Sequence, residues 1–125
     1  MKIDLRTIEP MNSLMQFTHQ NVNFDFHNFY QCHKVLFEKD KIILRLKHLK
    51  EPTHVQIAFS EVLLEKVEFN ANSSSNGFTI DQLYRGRYEK EGKLIELSDL
   101  GKVYLYLEFC EGLNLEFWCT SMFVE

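Results

Sequence analysis

Residues 24–33, FDFHNFYQCH, place two histidines, a cysteine, an aspartate and four aromatic rings in ten positions. Those side chains are the ones that hold transition metals or carry protons. Their spacing points elsewhere. His27 and His33 are six apart, His19 lies eight before His27, and Cys32 and His33 are adjacent. None of these places two ligands on one turn, and neighbours on a regular strand face opposite ways. His33 falls on an apolar face with Val35 and Phe37, as a structural histidine would. The stretch is expected to be mainly structural, and no metal or cofactor is expected.

The remaining reactive residues are similarly dispersed. His48 and His54 flank LKEPT, a turn around Pro52, where they would be ligands, an acid–base pair or simply strand ends. Cys110 in FCEGL has no base nearby, and Glu108 and Glu111 disfavour a thiolate. Glu61, Glu65 and Glu68 suit a solvated strand face. In LYRGRYEKEGK (83–93), Arg85 and Arg87 share a strand face and form a candidate anion clamp, with Gly86 permitting a close approach or a bulge. A solvated charged face explains them as well. No Gly-rich phosphate loop, H-E-x-x-H or G-x-S-x-G occurs, so no catalytic residue is assigned.

A chain of 125 residues, 45% apolar, suits one domain spanning 1–125 that buries a core without disulfides or metal. The net charge of −4 is unevenly placed: residues 1–50 carry +3 and residues 51–125 carry −7. Such a chain is poorly disposed towards nucleic acid, whose affinity comes from cationic contacts, and better disposed towards a basic protein. No secretory signal opens the sequence and no apolar run would span a membrane. Three cysteines without C-x-x-C spacing fit a reduced, cytoplasmic compartment.

Period-two alternation makes the fold all-β, with strands over 2–8, 33–38, 41–48, 54–59, 62–69, 78–89, 93–97, 103–109 and 113–120. Residues 10–19 suggest a short helix with Pro10 near its first turn. Residues 70–77, NANSSSNG, suggest a mobile surface loop. A turn at Lys39-Asp40 sets Phe37 against Ile42, Val35 against Leu44 and His33 against Leu46. In YEKEGKL, a three-residue loop sets Glu89 against Lys93. The last hairpin fixes its own register. A three-residue loop Cys110-Glu111-Gly112 sets Val103, Leu105 and Leu107 opposite Cys119, Phe117 and Leu115, a wholly apolar face. Successive hairpins imply an antiparallel β-sandwich or a partly closed barrel.

The other face of that hairpin carries Tyr104, Tyr106 and Trp118, bordered by Glu108 and Glu116. Tyr and Trp anchor interfaces and surrounding acid steers basic partners, so these five residues are the candidate binding site. The competing reading is that another element of the fold covers them. Tyr84 and Tyr88 are expected in the core with Phe78 and Ile80.

FHN at 26–28, KDKIILRLKHL at 39–49 and the ending GKVYLYLEFCEGLNLEFWCTSMFVE, with its late Cys119, resemble small all-β bacterial proteins. Some of those are immunity proteins that neutralise toxins of bacterial competition systems. The resemblance implies a non-enzymatic, cytoplasmic domain that binds a protein, as a toxin antidote. The alternative is a small-ligand-binding β-barrel or a small enzyme using His48, His54 or the Arg85/Arg87 pair.

Overall fold

A computed structural model describes residues 1–69 and 77–125. The chain runs β1 (Lys2–Asp4), a 3-10 turn (Leu5–Thr7), β2 (Gln16–His19), β3 (Val22–Asp25), β4 (Tyr30–Glu38), β5 (Lys41–His48) and β6 (His54–Ser60). It continues through β7 (Leu63–Phe69), β8 (Ile80–Gly86), β9 (Tyr88–Lys90), β10 (Lys93–Ile95), β11 (Val103–Phe109), β12 (Leu113–Cys119) and β13 (Ser121–Val124). Two antiparallel sheets result, ordered β1-β13-β6-β5-β4 and β7-β12-β11-β8, with β2-β3 and β9-β10 as separate ribbons. Among the described residues the two sheets meet edge to edge only through the Cys32–Phe78 bridge, so the fold is a β-sandwich and not a closed barrel.

The inner faces follow from alternation. Leu105, Leu107, Leu115 and Phe117 of one sheet join Ile42, Leu44, Leu46, Ile57 and Phe59 of the other in one buried cluster. Phe59 meets Phe117 edge-on across the sheets, with ring centroids 5.1 Å apart. Each such side chain contributes about 1.5–3 kcal/mol when fully buried. The chain crosses between sheets at Glu61 and Thr120, where Thr120 Oγ1 donates to Glu61 Oε2 at 2.7 Å. The β11–β12 register is the one the apolar pattern requires, with Val103 opposite Cys119, Leu105 opposite Phe117 and Gly112 at φ 96° in the loop.

Several expectations need correction. Residues 10–19 form no helix: Gln20 and Asn21 both take positive φ and turn β2 back onto β3 as a tight hairpin. Strand 2–8 stops at Asp4, whose carboxylate accepts from Arg6 N at 3.0 Å and starts the 3-10 turn. Strand 78–89 is broken at Arg87 into β8 and β9. Phe37 does oppose Ile42 and Val35 opposes Leu44, but Cys32, not His33, opposes Leu46. His33 is the extra residue of a bulge and is exposed, off the apolar face. The β9–β10 turn has two residues, Glu91 and Gly92, both at positive φ, so Lys93 faces Lys90 and Glu89 faces Leu94. The loop expected over 70–77 lies outside the described residues apart from Gly77.

All three cysteines are free, with Cys32 and Cys119 buried and Cys110 exposed. Burial pushes the Cys32 thiol up to about 11 and raises Cys119 as well. Labelling the native, chelator-treated protein with a thiol reagent should therefore modify Cys110 alone, whereas denaturant without reductant should release three thiols. Recovery of one thiol would contradict the strand register that separates Cys110 from Cys119.

Candidate functional site

Trp118 and Tyr104 are directly opposite on β12 and β11, and Tyr106 faces Glu116. All project to the outer side of the four-stranded sheet, as the alternation demands. That side is partly roofed by the chain itself. The Tyr88 ring lies 5.1 Å from Tyr104 and 5.5 Å from Trp118, and those two rings are 4.9 Å apart. Tyr104 is 1% and Trp118 5% exposed. Their polar tips are satisfied: Tyr104 Oη donates to Glu116 Oε1 at 2.9 Å and Trp118 Nε1 to Glu65 Oε1 at 3.2 Å. Burial, and then Glu116, raises the Tyr104 hydroxyl above the ordinary tyrosine range.

Tyr106, Glu108 and Glu116 are the members of the expected site that reach the surface, each half-buried. Tyr84 joins them rather than the inner core. Asp81 is an extra residue between the Gln82–Glu108 and Ile80–Phe109 pairs, and this bulge turns Tyr84 away from the side that Ile80 faces. Tyr84 stacks on Tyr106 at 5.0 Å. Tyr106 also covers Gly86, where an added Cβ would sit 1.9 Å from its ring. Gly86 thus admits a tyrosine ring of its own sheet. Tyr88 is likewise half-buried, in the outer aromatic cluster.

Beside this face runs β7, VLLEKVEF less its first residue, in which every residue is exposed. Leu63 and Val67 are each 51% exposed and Phe69 is 55% exposed. An edge strand that also exposes apolar side chains is unusual, because its unpaired backbone groups offer a template for pairing. The opposite edge of the same sheet is capped: Leu14 N donates to Leu83 O at 2.8 Å, and Ser13 bridges to Tyr84. Beyond β7 no strand pairs among the described residues. Acid borders it, with Lys66 held between Glu116 at 3.4 Å and Glu68 at 3.6 Å. The sequence shows β7 as a strand, but not that it forms the sheet edge.

No family model matches the chain, and no curated protein matches it.

The other candidates are occupied structurally. Arg85 is buried; its Nη1 donates to the Arg6 and Ile8 carbonyls and its Nη2 to Glu96 O. Arg87 instead pairs with the Glu96 carboxylate at 2.9 Å. Arg85 and Arg87 therefore form no anion clamp. His48 Nδ1 accepts from Lys50 N and Glu51 N, both at 3.1 Å, which makes it the cap of the turn before His54. His54 faces His33, with ring centroids 6.0 Å apart. His48 and His54 do line one open cleft of about 800 Å³ with Phe24, Phe29 and Tyr30.

Asp25 explains much of the opening stretch. It is buried, and its carboxylate accepts from His27 N, Asn28 N, Asn28 Nδ2 and Gln16 Nε2 at 2.8–3.2 Å. Burial acts to raise its pKa, but the Asn28, Gln16 and His27 hydrogen bonds outweigh it and hold the carboxyl below its usual range. The ionised form is thus favoured by folding, and its stabilisation is lost as pH falls through the lowered pKa. Asp25→Asn should cost about 1–2 kcal/mol at neutral pH by removing the charge from these bonds. The gap to wild type should narrow in acid melts below about pH 4. A gap that stays constant with pH would contradict an ionised Asp25.

Proposed function

We propose that this is a non-enzymatic protein-binding domain that receives a basic partner along β7, the edge strand of its sheet among the described residues, and at the adjoining acidic rim. The observation that carries the reading is strand β7, every residue of which is exposed, including Leu63 on its outer side and Leu64, Val67 and Phe69 along the margin of the inner side. A partner strand added there gains backbone hydrogen bonds from the edge and contacts from alternate side chains. Tyr106, Glu108 and Glu116 border the docking surface, and Tyr104 and Trp118 support it from beneath. Positive charge on the partner follows from the acidic balance of residues 51–125, which contain the whole four-stranded sheet.

The resemblance to immunity-type proteins gives this reading its specific form, a cytoplasmic antidote that occludes a toxin. The structural hydrogen bonds of Asp25, Arg85 and His48 support a binding role over catalysis by those residues. Immobilised protein, exposed to an extract of the source organism, should capture a basic protein identifiable by mass spectrometry. Binding of that purified partner should weaken as salt rises, because surface charges are screened. Capture of an acidic partner, with affinity indifferent to salt, would overturn the electrostatic part of the proposal.

A further inference from the structure

We infer that His27, Asp81 and Cys110 bind a divalent metal ion of the zinc class. One ligand atom from each lies within 4.8 Å of the other two. They come from three distant stretches: His27 follows β3, Asp81 is the second residue of β8, and Cys110 opens the β11–β12 loop. No local spacing in the sequence announces the cluster.

The backbone at each corner is fixed. Asp25 holds the His27 and Asn28 amides, and Cys110 N donates to Thr79 O at 2.9 Å. The neighbouring Glu111 carboxylate accepts from Thr79 N at 2.6 Å. Asp81 is the bulged residue of β8, and bulges re-aim side chains beside functional sites. His27 Nδ1 sits 2.7 Å from Ile80 O. Donation of its proton to that carbonyl leaves Nε2 with the lone pair, the arrangement in which metal-ligating histidines are commonly held.

The donor set selects the ion. Imidazole nitrogen, carboxylate oxygen and thiolate sulfur suit Zn²⁺, whereas Ca²⁺ and Mg²⁺ prefer oxygen alone. Zinc bonds of about 2.0–2.3 Å in a tetrahedron put ligand atoms roughly 3.5 Å apart. Asp81 and Cys110 are exposed and can rotate the short remaining distance. Three protein ligands leave a fourth position open. The carboxylates of Asp81 and Glu111 lie beside Cys110, and their negative charge attracts a cation.

Full-length protein stripped with chelator and titrated with CoCl₂ tests this. One equivalent should bind and give a near-ultraviolet thiolate-to-cobalt charge-transfer band, which ZnCl₂ should abolish by displacement. Cys110→Ser should remove the band, and Asp81→Asn should weaken binding on the order of tenfold or more. Both replace exposed side chains, and melting curves check that the fold survives. His33→Ala should leave the titration unchanged. Absence of the band in wild type, or one-equivalent binding that survives Cys110→Ser, would overturn the inference.

Discussion

Replacing Trp118 with Ala should destabilise the fold by about 3–5 kcal/mol, the range for removing a buried large aromatic side chain. The expectation follows from its surroundings. Tyr88 and Tyr104 pack on the indole, Glu65 accepts from its nitrogen, and only 5% of the residue is exposed. The truncation would also leave the β9–β10 ribbon without a main support. Denaturant melts followed by circular dichroism measure the loss. Trp118 is the single tryptophan, so its emission in the wild-type protein should be that of a shielded indole and should shift on unfolding. A variant with near-native stability would contradict the roof that Tyr88 forms.

The second large effect should appear in binding and not in folding. Val67→Lys puts a charge in the middle of the exposed strand β7 and repels a basic partner. Truncating or reversing an interface anchor costs about 2 kcal/mol or more, roughly a 30-fold loss of affinity. Folding should change by no more than about 0.5 kcal/mol, because Val67 is half exposed. Equal affinity of Val67→Lys and wild type for the captured partner would remove β7 from the interface. Trp118 supports the surface, whereas Val67 belongs to it.

The β11–β12 register was legible because only one loop length gives an unbroken apolar face, and Gly112 supplies the left-handed position that loop requires. The β4–β5 register was legible only near its turn. At His33 an extra residue enters, and alternation beyond a bulge inverts without any compositional mark. The same effect moved Tyr84 from the expected core to the outer face through Asp81. Residues 10–19 read as a helix because Pro10 suits a first helical turn, while the hairpin depends on positive φ at Gln20 and Asn21. For the candidate site, alternation placed Tyr104, Tyr106, Trp118, Glu108 and Glu116 on one face. It could not show that Tyr88 folds over two of them, since that contact depends on the β9–β10 turn. Edge position is a property of sheet order, so β7 was recognisable as a strand but not as an open edge. The meeting of His27, Asp81 and Cys110 is tertiary and has no sequence pattern.

The most direct test of the docking account is amide hydrogen exchange on the complex with the captured partner, compared with the protein alone. New protection should be concentrated on β7, Leu63–Phe69, with smaller effects around Tyr106, Glu108 and Glu116. A strand added at the edge shields amides that otherwise face solvent. Protection confined to the outer face of β4, β5 and β6, with β7 exchanging as it does in the free protein, would contradict it.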